Sequence, residues 1–118
     1  MITGAHLILN SPDPELDRAF LRDVLGWPSV GAAGPDDPWL IFAVPPAELG
    51  VHPTEGESSV GLFLTCDDLP STMAELSGRG AVFVGEPTEQ GWGTLTQIRL
   101  PSGATLGLYQ PRHATAHD

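Results

Sequence analysis

The stretch LPSGATLGLYQP, residues 100–111, joins two predicted β-strands through a short turn. The tripeptide Pro-Ser-Gly within it favours a turn, and apolar residues stand on both sides. The pattern predicts one strand over residues 92–100 and another over residues 104–110. This pair of strands closes the second half of the chain.

The same half begins with an apolar run over residues 60–66, which predicts a further strand. Asp67 and Asp68 follow it, and carboxylates at the start of a helix cap its free backbone amides. A helix ending near Gly80 and a strand over residues 81–84 complete the module. The predicted order is therefore strand, helix and three strands.

The first half of the chain shows the same order. Residues 5–9 predict a strand, Asp13 and Pro14 favour a helix start, and Gly26 ends that helix. Three shorter strands are predicted over residues 27–32, 39–44 and 49–52.

Placing Asp13 on Asp68 aligns the patterns of the two halves, which indicates an internal repeat. The repeat divides one domain, residues 1–118, into modules of about residues 1–54 and 58–112. In each module the helix covers one face of the strands, so the two free faces would curl around a shared cavity. The sequence therefore predicts an α+β fold in which two βαβββ modules form a cup-shaped mixed sheet.

Composition excludes several classes of protein. The chain has 118 residues and a formal charge of −10, which repels the phosphate backbone of nucleic acids. No apolar run approaches the roughly 20 residues of a membrane span, and no signal peptide is recognisable. The lone Cys66 excludes an internal disulfide and is expected to be a buried, inert thiol. These features predict a cytoplasmic protein that binds neither nucleic acid nor membranes.

This layout resembles that of the vicinal oxygen chelate superfamily, which groups glyoxalase I, extradiol dioxygenases, fosfomycin resistance enzymes and bleomycin resistance proteins. The closing pattern Pro-x-Gly…Leu-Tyr-Gln-Pro is the most specific feature. The resemblance covers nearly the whole chain and implies the glyoxalase/bleomycin resistance fold. It rests on residues 5–9, on Asp13-Pro14 and Leu25-Gly26-Trp27, on residues 62–69, and on residues 100–111.

In metal-dependent members of that superfamily, the ligands come from the first and last strands of each module. Carried over residue by residue, those positions are His6, Leu49, Val60 or Gly61, and Gly107. Of these residues, His6 alone has a side chain that binds a cation. We therefore expect no metal cofactor. The alternative is a divalent metal ion held by atypical ligands such as His6 and His52.

The predicted lining of the cup is apolar and aromatic, with a few polar points, and this composition is typical of ligand pockets. No residue is predicted to be catalytic, and the tail after Pro111, with its two histidines, is expected to be disordered. His6 is equally well interpreted as a core or interface histidine that is hydrogen-bonded to a carbonyl. The candidate ligand-binding residues are His6, Trp39, Phe42, Phe63, Trp92, Tyr109 and Gln110.

The sequence therefore predicts a protein of the bleomycin resistance type, which sequesters an aromatic or multi-ring compound without a metal, as in antibiotic resistance. We also expect a homodimer, because one chain leaves sheet edges and apolar cup walls that a symmetric partner covers. One alternative is an enzyme, either a metal-dependent lyase or isomerase, an extradiol-type dioxygenase with atypical ligands, or a metal-free catalyst with His6 as base. Another is an interaction module without a drug-sized pocket.

Overall fold

Two helices occupy corresponding places in the two halves of the chain: α1, Pro14–Asp23, and α2, Leu69–Gly78. In each helix an aspartate accepts a hydrogen bond from the first turn, since Asp13 binds the Leu16 N–H and Asp68 the Ser71 N–H. A proline also stands in the first turn of each. These starts confirm the predicted helices. The computed structural model describes residues 1, 6–57, 59 and 61–117.

The first half contributes a small antiparallel sheet of two strands, β1, Ser29–Gly31, and β2, Leu40–Phe42. The Asp37 carboxylate accepts hydrogen bonds from the N–H groups of Ala33 and Trp39 and so orders the connecting loop. Both strands lie inside the predicted ranges and are shorter than expected.

The second half forms a mixed sheet of five strands, in the order β3-β7-β6-β4, with β5 also paired to β6. Strands β6 and β7 are antiparallel over their whole length, whereas β3 is parallel to β7. The predicted α+β class and the pair of strands around the turn are confirmed. The strands are β3, Phe63–Thr65; β4, Val82–Phe83; β5, Thr88–Gln90; β6, Gly93–Arg99; and β7, Thr105–Pro111.

Two of the predicted strands are not formed. Residues 6–9 and 49–52 belong to no strand in the described chain, and Ala5 of the first prediction lies outside the described residues. The apolar pattern was therefore insufficient, because a strand also needs a neighbour for its backbone N–H and C=O groups. Conversely, β5 was not predicted, because Thr88–Gln90 has no apolar alternation and is ordered by its pairing with β6.

The hydrophobic core lies between the helices and one face of the five-stranded sheet. Phe20 of α1 and Leu69 of α2 are buried against Ile98 of β6 and against Leu106 and Leu108 of β7. Side chains alternate along a strand, so position 107, between the two leucines of β7, faces the other side of the sheet. Since both described helices contribute to this core, that other face carries no helix in the described part of the chain. No helix among these residues has the length and hydrophobicity required to span a membrane.

Asp17 joins the two halves of the chain. Its side chain lies in α1 at 2% exposure, and Oδ1 accepts a hydrogen bond of 3.1 Å from the backbone N–H of Ser102. Ser102 stands in the turn between β6 and β7. This contact fixes α1 against the hairpin, although the second carboxylate oxygen, Oδ2, is buried without a hydrogen-bond partner among the described residues.

We expect Asp17→Ala to lower the free energy of unfolding by about 1–3 kcal/mol, because it leaves the buried Ser102 N–H without an acceptor. Urea denaturation followed by circular dichroism measures this change. Glu15→Ala, at an exposed position of the same helix, is the matched control and should change stability far less. Equal losses in the two variants would show that the Asp17 contact contributes nothing beyond helix charge.

Candidate ligand-binding site

The open face of the five-stranded sheet collects aromatic side chains from separate strands. Phe63 of β3 pairs with Gly107 of β7, and Leu95 of β6 pairs with Tyr109. Because Leu108 lies between Gly107 and Tyr109 and is buried in the core, these four paired residues share the opposite face.

Three rings form what we call the aromatic cluster: Phe63, Trp92 and Tyr109. The ring centroids of Phe63 and Tyr109 are 6.2 Å apart at an interplanar angle of 80°, and those of Trp92 and Tyr109 are 5.0 Å apart at 87°. Both pairs have the edge-to-face geometry that aromatic rings favour. Phe63 is 52% exposed and Trp92 41% exposed, so the cluster presents ring surface to solvent.

Two glycines make room for these rings. A side chain at Gly107 would overlap the ring of Phe63, and one at Gly93 would overlap the backbone oxygen of Gln110 and come within 3.1 Å of Tyr109 Cδ2. The missing side chains therefore allow the rings of Phe63 and Tyr109 to approach the backbone of the sheet closely.

The hydroxyl of Tyr109 is the polar point of the cluster. It forms a hydrogen bond of 3.0 Å with Nε2 of His113, and the two rings are tilted at 46° with centroids 5.8 Å apart. Burial raises the pKa of Tyr109, and the negative charge of Glu48 raises it further. The phenol is therefore neutral at physiological pH and able to donate a hydrogen bond.

The segment after β7, residues 112–117, packs beside the cluster, and we call it the strap. The backbone N–H of Arg112 donates to Trp92 O at 2.9 Å, and the Ala116 N–H donates to Glu48 Oε2 at 2.6 Å. The expectation of a disordered tail is wrong for these residues. Local composition suggested disorder, whereas contacts with residues distant in the sequence order the segment.

The other candidate residues from the first half lie apart from the cluster. Trp39 is 64% exposed and lies under the guanidinium of Arg18, 5.0 Å from its ring centroid. Phe42 is half-buried, and His6 is exposed in the single chain, which contradicts its interpretation as a core histidine and leaves an interface histidine as a prediction. Among the described residues, no ring contact connects Trp39 or Phe42 to the cluster.

Gln110 lies on the helix side of the sheet, opposite Tyr109. Its Oε1 accepts a hydrogen bond of 2.8 Å from the Leu69 N–H and so satisfies one free amide at the start of α2. It also lines a concavity of about 500 Å³ with Met73, Glu86 and other residues of α2 and β5. The structure therefore does not bring Gln110 together with the aromatic residues.

The positions that hold a metal in metal-dependent relatives do not fit a cation in this chain. Gly107 has no donor, Leu49 is apolar and 87% exposed, and Val60 lies outside the described residues. No group of three or more His, Cys, Asp or Glu residues in the described ranges is placed to hold an ion. His6 is thus without the further ligands that a stable site requires.

Cys66 does not have the features of a nucleophile. Its Sγ donates to the carbonyl oxygen of Tyr109 at 3.7 Å, and burial raises the pKa of the thiol, with the charges of Asp67 and Asp68 adding to the effect. A raised pKa lowers the thiolate fraction at neutral pH. This direction agrees with the expected inert thiol.

The family model of the Glyoxalase/Bleomycin resistance protein/Dioxygenase superfamily matches residues 4–108, and the chain belongs to this superfamily. The predicted resemblance is therefore confirmed, and with it the fold. A comparison with curated proteins finds no match.

Solved structures of the same fold include an antibiotic-binding protein. TnmS3, an antibiotic binding protein from Streptomyces sp. CB03234, is 28% identical with a TM-score of 0.63, over 93% of this chain and 97% of TnmS3. A glyoxalase/bleomycin resistance protein from the same organism is 28% identical with a TM-score of 0.55, over 86% and 95% of the two chains. Lactoylglutathione lyase from Agrobacterium tumefaciens, 17% identical with a TM-score of 0.61 over 92% of both chains, shares the fold.

The sequence analysis missed His113 and Glu48 as residues of the site. The spacing from Tyr109 to His113 was visible, but nothing in the sequence indicated that the chain turns back beside the sheet. Glu48 contacts a residue far along the chain, so no local pattern could have revealed it.

We expect Gly107→Ala to displace the Phe63 ring and to lower stability by about 1–3 kcal/mol, because the added methyl group overlaps that ring. Near-ultraviolet circular dichroism reports the ring environment, and thermal unfolding reports stability. Gly56→Ala is the matched control, since Gly56 lies outside the helices and strands and a methyl group there meets nothing within 4 Å. If both variants keep the wild-type spectrum and stability, the close approach at Gly107 is not required.

Proposed function

We propose that this protein binds an aromatic or multi-ring small molecule on the open face of its five-stranded sheet and sequesters it. The observation that carries the proposal is the aromatic cluster. Its rings touch edge to face and leave Phe63 52% and Trp92 41% exposed. Exposed aromatic surface of this kind offers a planar guest both apolar burial and ring stacking.

The polar groups beside the cluster favour orientation of a guest over chemistry on it. The neutral Tyr109 hydroxyl and the His113 ring can exchange their mutual hydrogen bond for bonds to a guest. The thiol of Cys66 has a pKa raised by burial and donates a hydrogen bond to the carbonyl oxygen of Tyr109. The proposed action is therefore capture without turnover, and without a metal.

Charge supports a preference among guests. The formal charge of the chain is −10, and Glu48 stands close enough to Tyr109 to influence its pKa. A negative field at the site attracts cationic rings and repels anionic ones. The similarity to TnmS3, an antibiotic binding protein, supports a small-molecule guest of the antibiotic kind.

We also propose that two copies of the chain assemble as a homodimer. Leu7, Ile8 and Leu9 are 47%, 75% and 40% exposed in one chain, and Val51 is 89% exposed. The two-stranded β1-β2 sheet is of a kind that is marginally stable by itself. A second copy would cover these apolar residues.

The proposed binding site predicts that Phe63→Ala weakens the binding of proflavine, a planar tricyclic cation, by about fivefold, because one ring of the cluster is lost. Fluorescence titration measures the affinity, and recovery of unchanged proflavine by mass spectrometry checks the absence of turnover. A titration in EDTA should give the same affinity. Val82→Ala is the control, since Val82 is 58% exposed and pairs with Arg99 on the same open face. Equal proflavine affinities in the two variants would show that the aromatic cluster is not the binding site.

The proposed homodimer predicts that Ile8→Asp shifts the protein toward monomers, because a buried charge at the interface is unfavourable. Light scattering coupled to gel filtration measures the mass across a dilution series. Ser59→Asp adds the same charge at an exposed polar position and should leave the assembly unchanged. A wild-type protein that is monomeric at every concentration contradicts the proposal.

A further inference from the structure

The strap has one firmly held end and one weakly held end. At its start, Arg112 donates its backbone N–H to Trp92 O and forms a salt bridge of 2.8 Å with Glu89. The same guanidinium donates to the Thr94 hydroxyl and to the Gln90 carbonyl oxygen. Arg112 is thus tied to β5 and β6 by several groups.

Residues 116 and 117, at the far end of the strap, make exposed contacts with one short segment. The Ala116 N–H donates to Glu48 Oε2 at 2.6 Å, and His117 Nε2 donates to the carbonyl oxygen of Ala47 at 2.7 Å. All four residues are exposed. Hydrogen bonds in contact with water contribute little net stability, so this end opens far more readily than the sheet.

Between its two ends the strap passes beside Tyr109. His113 contacts the Tyr109 ring and forms a hydrogen bond with its hydroxyl. The negative charge of Glu48, which holds the far end, raises the pKa of the same phenol. Tyr109, which also contacts Phe63 and Trp92, is half-buried, whereas those two rings are exposed. The strap therefore restricts access to the central ring of the proposed site.

We propose that the strap is a movable wall of the aromatic site, hinged at Arg112, and that Glu48 is the positioning residue that holds it closed over Tyr109. The proposal rests on the proposed function for its ligand, but its geometry is testable without one. Opening the strap frees the Tyr109 hydroxyl and the His113 ring together. A guest therefore binds the open form, and its apparent affinity depends on how often the strap is open.

Glu48 offers a matched pair of variants. Glu48→Gln removes the negative charge but keeps an oxygen that accepts from the Ala116 N–H, whereas Glu48→Ala removes both. Since both variants lack the charge, its effect on the phenol cancels when they are compared with each other. Any remaining difference between Glu48→Gln and Glu48→Ala therefore reports the loss of the hydrogen bond that holds the strap.

The first measurement uses Tyr109 itself, which is the single tyrosine of the chain. Nitration by tetranitromethane is followed by mass spectrometry of the tryptic peptide of residues 100–112. We expect Glu48→Ala to be nitrated about threefold faster than Glu48→Gln, with equal melting temperatures, because the open form is more populated. Equal nitration rates in the two variants overturn the proposal.

A second variant approaches the same contact from the strap. Ala116→Pro removes the donor N–H and leaves Glu48 intact, so it should raise the nitration rate by a similar factor. Added to Glu48→Ala, which already lacks the contact, it should give no increase over Glu48→Ala alone, whereas added to Glu48→Gln, which keeps the acceptor, it should raise the rate. Fully additive effects overturn the assignment of Glu48 as the positioning residue.

The third measurement separates the strap from the binding function. Proflavine and the anionic anthraquinone-2-sulfonate are titrated into both Glu48 variants, and each probe should bind about threefold tighter to Glu48→Ala. If both probes bind tightly but the two Glu48 variants have equal nitration rates and equal affinities, the proposal of a movable strap is wrong and the proposed binding function is supported. Faster nitration of Glu48→Ala without binding of either probe supports the strap and contradicts the binding function.

Discussion

Side chains alternate between two faces along β6 and β7, and the architecture depends on this alternation. Leu106 and Leu108 enter the core with the helices, while Gly107 and Tyr109 between and beyond them face away. The same hairpin therefore supplies both the stability of the domain and the floor of the site. Asp17 fixes α1 to the turn of this hairpin, so the core side is tied down from both halves of the chain.

The sequence allowed the hairpin, the helix starts and the aromatic residues of the second half to be predicted. Each depends on information within a few residues: a turn tripeptide, a capping aspartate, or a period of two. Phe63, Trp92 and Tyr109 were all selected in this way and do form one cluster. The family resemblance, carried by the same stretches, was confirmed over residues 4–108.

The remaining predictions failed or stay open where the outcome depends on contacts between distant residues. Residues 49–52 have a strand-like composition but no partner in the described chain, and β5 has a partner without the composition. Gln110 was assigned to the pocket by its place beside Tyr109, yet neighbours on a strand face opposite ways, and it caps α2 instead. The order of residues 112–117 comes from Ala47, Glu48 and Trp92.

The register of β7 also limits how this part of the chain can vary. Inserting or deleting one residue in the turn at residues 101–103 would slip β7 by one position against β6. The phenol of Tyr109 would then point into the hydrocarbon interior, and Leu108 would be exposed to water. A one-residue change in the length of this turn is therefore incompatible with the fold, and Gly103, whose φ is 96°, restricts its composition as well.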